Sequence, residues 1–193
     1  MTKNDEKLQV ITNEIKKCHI CKIDSVGNPV VGEGSSNAQL MFVGEAPGRK
    51  EAEIGRPFIG RSGILLRSFI ASLDIKENEV YITSPVKYLP LSKTPSKEQI
   101  AHGRLHLLKQ INVINPKVII LLGSVASLAV LQQKIPVKKM HGTIITNDNR
   151  VYFITLHPAA ALRFPILKKD IASDFAKLKI LLKSNYKIDK KNS

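Results

Sequence analysis

Apolar residues in this chain fall into two kinds of run. Leu40-Met41-Phe42-Val43 and Val118-Ile119-Ile120-Leu121-Leu122 have no polar interruption. Such blocks are read as strands covered on both faces. Val80–Thr83 and Val151–Thr155 read as two more strands. Elsewhere apolar positions recur at the three- and four-residue spacing of a helix with one buried stripe. Ile11 and Ile15 mark a short N-terminal helix, and Leu65, Phe69 and Leu73 line one over Arg61–Leu73. Ser96 and Gln99 fit a capping box that opens a helix with Leu107, Leu108 and Ile111 inward, ended by Pro116. Gly123-Ser124 starts a helix through Leu131, and Ile171, Phe175, Leu178 and Leu182 mark the last one. Thr143–Thr146 and Val151–Thr155 flank Asn147-Asp148-Asn149, which predicts a hairpin turn. Alternating strands and helices imply an α/β protein with a mostly parallel sheet covered on both sides.

Composition changes this picture in one respect. With 193 residues, 43% of them hydrophobic, the chain is expected to fold as one domain over 1–193. Its 30 Lys+Arg against 16 Asp+Glu leave a net charge of +14, which points to a polyanion, most often nucleic acid. The lysines after Lys183 read as a flexible basic tail over about 186–193. No apolar run approaches the roughly 20 residues of a membrane span, and the N-terminus has no signal-peptide core. A cytoplasmic protein is expected, in which two cysteines do not form a structural disulfide.

Candidate chemistry gathers at strand ends. After the first strand comes Gly44-Glu45-Ala46-Pro47-Gly48, then Gly55-Arg56-Pro57-Phe58-Ile59-Gly60 and Gly63. Five glycines and two prolines predict a loop whose backbone approaches a ligand closely. Ser84-Pro85 follows the second strand and His157-Pro158 the late one, so Glu45, Ser84 and His157 can converge at one sheet edge. A carboxylate and a histidine together suit hydrolysis, and Phe58 suits stacking on a flat ligand.

The segments GEAPG…E…GRPFIGRSG and HPAAALRFP resemble family 4 uracil-DNA glycosylases. The resemblance spans most of the chain, from Cys18 to the final helix. It implies a three-layer α/β/α sandwich around a mostly parallel four-stranded sheet. It further implies a base-excision repair enzyme that hydrolyses the N-glycosidic bond of uracil flipped out of DNA. By the same resemblance, Gly44, Glu45 and Ala46 line the uracil and water site. Glu51 is a second carboxylate for the water, Phe58 stacks on the base, and His157 donates to uracil O2. Ser84 stands at the base-reading position. Leu162 and Arg163 enter the minor groove, while Arg61 and Lys87 contact DNA. Single- or double-stranded DNA containing uracil is the implied partner, the protein is implied to act as a monomer, and a sliding clamp is left open.

The chain departs from the family at three places. Where the family has Thr-Asn-x-Val-Lys-Cys, it reads Thr83-Ser84-Pro85-Val86-Lys87-Tyr88. Ser84 offers one hydroxyl in place of an amide that both donates and accepts. The family's four cysteines hold a [4Fe-4S] cluster; only Cys18 and Cys21 remain, Tyr88 replaces the third, and the fourth falls at His102 or Gly103. No cofactor is therefore expected. Cys18 and Cys21 are relics, or bind a metal with His19, His102 or another ligand, or pair under oxidising conditions. The wedge is reduced to Ala160, Ala161 and Leu162. Alternatives to a uracil glycosylase are a weakly active or inactive homologue that serves as a DNA-binding module, and an enzyme for another deaminated base.

Overall fold

The computed structural model describes residues 1–147 and 150–185; the proposed tail at 186–193 and the turn residues Asp148 and Asn149 lie outside the described residues. Four strands run parallel at the centre: β3 (Leu40–Val43), β4 (Val80–Thr83), β6 (Val118–Leu122) and β8 (Arg150–Thr155). These are the four expected strands. Two more extend the sheet beyond the four anticipated. β2 (Glu33–Gly34) pairs antiparallel with β4, and β7 (Thr143–Asn147) pairs antiparallel with β8 as the arm of the expected hairpin. The order across the sheet is β2-β4-β3-β6-β8-β7. A separate two-stranded ladder joins β1 (Ser25–Val26) to β5 (Leu89–Pro90).

Strand side chains alternate between two cores, as the two-residue period requires. Leu40 and Phe42 of β3, with Val118, Ile120 and Leu122 of β6, face one cluster. That side is covered by α4 (Arg61–Ala71), α8 (Pro158–Arg163) and α9 (Leu167–Asn185). Met41 and Val43, with Ile119 and Leu121, face the other, covered by α5 (Lys97–Ile114) and α6 (Gly123–Leu131). Phe175 of α9 stacks on Phe42 and Phe69, closing the first core. The inward face of α4 is carried by Leu66, Phe69 and Ile70, with Leu65 only half-buried. Similarly, α5 turns Leu107 and Ile111 inward and leaves Leu108 at the margin.

The N-terminal helix α1 (Lys3–Lys17) is longer than two isoleucines suggest, because Thr2 and Asp5 form a capping box at its start. It leads through Cys18 into α2 (His19–Lys22) and packs on α5. The short α7 (Val137–Met140) precedes the hairpin. The glycine-rich segment after β3, expected as loop throughout, contains a helix, α3 (Arg49–Ile54). Its interior has neither Gly nor Pro. Gly48 caps its start, and Gly55 ends it in the left-handed region at φ 83°. The glycines read as loop residues are in part the helix's punctuation.

Candidate active site

The carboxyl ends of β3, β4 and β8 open onto one cavity of about 230 Å³, lined among others by Glu45, Glu51, Phe58, Ser84 and His157. This lies below the roughly 300–1,000 Å³ of pockets for drug-sized ligands, and suits a single heterocyclic ring. The three strand ends thus meet as anticipated. The Gly44 N–H donates to the Thr83 carbonyl at 2.9 Å, extending the β3–β4 ladder to the cavity wall. A side chain at Gly44 would put its Cβ 2.5 Å from the Phe58 ring and 3.7 Å from His157 Nε2, so glycine there makes room for both.

Phe58 is held by an unusual amount of structure. Its backbone sits at φ 51°, a left-handed conformation uncommon for a bulky residue. Arg67 of α4 donates from Nε to the Phe58 carbonyl at 3.0 Å and from Nη2 to that of Pro57 at 3.1 Å. Glu51 Oε1 accepts the next two amides, Ile59 N–H at 2.9 Å and Gly60 N–H at 2.7 Å. Arg67 is itself paired with Glu33 and Glu77, and Arg56 forms a bidentate pair with Glu33 at 2.7 and 2.8 Å. The Phe58 ring stacks against the His157 imidazole, centroids 5.8 Å apart. Glu51 is buried in the loop it organises, with Oε1 already committed to two amides.

His157 is the N-cap of α8, where Pro158 occupies the first helical position. Its Nδ1 accepts the Ala159 N–H at 3.1 Å. A neutral imidazole that accepts at Nδ1 carries its proton on Nε2, the nitrogen on the Gly44 side of the cavity. Burial lowers its pKa to about 4, so the ring is neutral at physiological pH. Burial also raises the Glu45 carboxyl above its usual value. The site therefore combines a neutral N–H donor with a half-buried carboxylate whose proton affinity is heightened.

Ser84 is buried at the cavity wall, and its hydroxyl donates to the Val86 carbonyl at 2.8 Å. Ala46 lines the same space. Arg61, Leu162 and Arg163 are exposed, the last two at the end of α8. Beyond them Phe164 and Ile166 are exposed apolar residues, and the Arg163 guanidinium lies 5.3 Å from the Phe164 ring centre. The assignment of Lys87 to DNA contact is corrected. Lys87 is 1% exposed, and its Nζ donates inward to Gln110 Oε1 at 2.7 Å, Thr83 Oγ1 at 2.8 Å and the Val31 carbonyl at 3.0 Å. Burial lowers its ammonium pKa to about 7. It braces the end of β4 from beneath and offers nothing to a phosphate.

Cys18 and Cys21 come together with His102 and His106 of α5, and their ligand atoms all lie within 4.8 Å of one another. His19, the neighbouring candidate, is exposed and outside this group. Tyr88 is buried against Ile11, Ile15 and Val31, filling with an aromatic ring the place expected of a third cysteine. Four thiolates are required for a [4Fe-4S] cluster of the family type, and this group supplies two. The residues present do not fit that cluster.

Sequence reasoning did not reach Arg67, Glu33 or His106. Arg67 falls on a helix as one more basic residue, and only the fold reveals the carbonyls it binds. His106 sits four residues after His102, an i,i+4 spacing that places both on one helix face. That spacing is the signal the sequence carries for the pair.

A parallel α/β sandwich with a ring-sized pocket at its strand ends, a stacking phenylalanine, a neutral imidazole donor and a carboxylate defines a protein built to grip a flat polar base. Comparison with known proteins agrees. The family model for the uracil DNA glycosylase superfamily matches residues 31–179, and the chain belongs to that family, whose enzymes hydrolyse N-glycosyl bonds. It is 35% identical over 189 residues to a type-4 uracil-DNA glycosylase of Thermotoga maritima, covering 95% of this chain and 98% of the relative. A type-4 enzyme of Saccharolobus solfataricus is 38% identical, over 93% of this chain and 88% of the relative. One from Pyrobaculum aerophilum is 36% identical, over 88% and 91%. Among the described residues no helix is long and apolar enough to cross a membrane.

Proposed function

We propose that this protein excises uracil from DNA by hydrolysing its N-glycosidic bond. The observation that carries the reading is His157, a neutral imidazole whose Nε2–H is fixed toward the base cavity by the Ala159 bond to Nδ1. The flipped base enters beside Phe58. Water attacks C1′ of the sugar as the bond from C1′ to N1 breaks, and the bonding electrons leave with the base as an anion. Charge that develops on uracil O2 meets the Nε2–H, a donor already in place at the cavity wall. Glu45 orients the water, and its carboxylate stabilises the positive charge that grows on the sugar. The proton released by the water returns to the departing base through solvent.

Affinity for DNA comes from the basic surface, where phosphate contacts release counterions. Arg61 and Arg163 supply exposed charge beside the site, and Leu162 fills the gap left by the flipped base. Phe164 and Ile166 add apolar area next to Leu162, whereas Ala161, expected in the wedge, is buried in the core because it lies on the inward face of α8.

The test is an oligonucleotide that carries one uracil, hypoxanthine or xanthine, single-stranded and in duplex, followed by alkaline cleavage at abasic sites. Strand scission at uracil is expected. Scission only at hypoxanthine or xanthine would redirect the substrate, and DNA binding without scission at enzyme excess would sink the enzymatic reading. Glu45 sets the acid limb of kcat/KM in this mechanism. Its pKa is raised, so the active carboxylate is lost as pH falls through a value above 4.5, while His157 stays neutral to about 4. In Glu45→Gln the rate is expected to be low and that limb absent; an unchanged limb would reassign it.

Ser84→Asn is expected to raise uracil release. The serine hydroxyl is spent on the Val86 carbonyl, whereas an amide both donates to O4 and accepts from N3–H of uracil. Two hydrogen bonds at about 0.5–1.5 kcal/mol each correspond to a gain of roughly fivefold to 150-fold. Single-turnover rates on uracil DNA measure it, and an unchanged rate would remove position 84 from the reading of the base.

A further inference from the structure

We propose that Cys18, Cys21, His102 and His106 bind a single zinc ion, a mononuclear site in the place where the family builds a cluster. The inference does not depend on the reaction at the base pocket. Four side chains with metal-binding atoms converge from two parts of the chain, all four atoms within 4.8 Å of one another. Cys18 joins α1 to α2 and Cys21 lies within α2, with two residues between them. His102 and His106 stand one turn apart on the same face of α5. Cys-x2-Cys and His-x3-His are the ligand spacings of structural zinc sites, here separated by β1 to β5, α3 and α4.

The second observation is His106 itself. It is 7% exposed, and neither of its ring nitrogens has a hydrogen-bond partner. Buried polar atoms are nearly always satisfied, so a histidine buried with both nitrogens unpaired asks for a partner that protein atoms do not provide. A metal ion supplies one. The His102 ring meets His106 edge-on at 5.4 Å between centroids, and His102 Nε2 is 3.1 Å from Cys18 Sγ. Two ligands on one tetrahedral ion, with bonds of about 2.0–2.3 Å, stand roughly 3.3–3.8 Å apart. The group needs only small side-chain adjustments to reach that geometry.

The donor set selects the metal. Two thiolates and two imidazoles in a compact tetrahedron suit Zn²⁺. A two-iron centre with two cysteines and two histidines is the competing use of the same residues. It places both thiolates on one iron and both imidazoles on the other. Here a thiol sulfur and an imidazole nitrogen are 3.1 Å apart and all four ligand atoms lie within 4.8 Å of one another, the separations of ligands gathered on one ion.

The ion would act on the fold. It would tie the α1–α2 turn to α5, and α5 supports the base pocket through Gly103, which lies between the two histidines. A Cβ at Gly103 would come 2.3 Å from the Pro85 carbonyl oxygen, so the helix rests directly on the backbone beside Ser84.

The full chain, purified without added metal and without air, is assayed for zinc, iron and acid-labile sulfide. About one zinc per chain is expected, falling below about a tenth in His106→Ala. Cobalt added to chelator-treated protein should give the strong visible bands of a tetrahedral thiolate site, and zinc should restore the midpoint temperature that chelation lowers. Should His106→Ala fail to fold, His106→Cys keeps four ligands and is expected to retain zinc while shifting the cobalt spectrum toward more thiolate character. Iron with stoichiometric sulfide, wild-type protein that takes up neither zinc nor cobalt, metal content indifferent to His106→Ala, or a cobalt spectrum unmoved by His106→Cys would overturn the proposal.

Discussion

Replacing His157 with alanine is expected to slow uracil release about 10²- to 10³-fold, the usual loss when one preorganised donor to a developing oxyanion is removed. The loss should fall on the chemical step. DNA binding, measured by gel shift on an abasic or undamaged duplex, should change little, because the imidazole sits in the cavity wall and the exposed cations lie elsewhere. Stability should change too, in a way that identifies the ring's protonation state. The imidazole caps α8 through Nδ1, and losing a cap costs about 1 kcal/mol. The folded pKa is about 4, below the ordinary 6.5 of the unfolded chain. Between those values the unfolded state binds the proton and the folded state does not, so wild-type stability falls as pH drops from 6.5 toward 4. The variant lacks this term. The stability difference between wild type and His157→Ala should therefore shrink with acidification over that window, as chemical denaturation at a series of pH values would show. A difference that grows instead would mean that the folded protein holds a charged imidazole.

Much of this site was legible before any coordinates because each functional side chain follows a strand. A strand covered on both faces announces itself by an unbroken apolar run. Its carboxyl end is then fixed, and Glu45, Ser84 and His157 fall at three such ends. Alternating strands and helices implied a mostly parallel sheet, and β3, β4, β6 and β8 form its parallel centre. Such alternation misses β2, since Glu33 and Gly34 carry no apolar pattern and become a strand only by pairing with Ile82 and Tyr81. Edge pairings of that length are decided by the neighbour.

Charge was the least legible feature. Lys87 reads as a loop lysine available to a phosphate, yet it points into the protein, where Gln110, Thr83 and the Val31 carbonyl surround its ammonium. Nothing local distinguishes such a lysine from its exposed neighbours. The partners come from three separate segments, and only tertiary structure assembles them. Arg67 is the mirror case. It resembles a surface residue of α4 and instead holds the two carbonyls that fix Phe58.

That fixation sets the second large effect. Gly63→Ala is expected to destabilise the protein by about 3 kcal/mol or more, at or beyond the upper end for overpacking, and to lower its midpoint temperature by roughly 6–12 °C. A Cβ at position 63 would lie 1.9 Å from the Phe58 carbonyl oxygen, 2.0 Å from its carbonyl carbon and 2.6 Å from its Cα. All three are backbone atoms, so no rotamer change relieves the contact. The Phe58 peptide would have to move, breaking the Arg67 bonds and the left-handed turn they hold. Phe58 would then leave its stack on His157, and base release should drop in the fraction that stays folded. Gly48→Ala is the matched control: its Cβ would meet the end of the Glu51 side chain, Oε2 at 2.6 Å, which can swing aside while Oε1 keeps the loop amides. Thermal melts and single-turnover rates of the two variants, side by side, separate a pinned Phe58 from a merely crowded loop. If Gly63→Ala melts with the wild type, the Phe58 turn is not held against α4, and Arg67 is not the clamp that positions the stacking ring.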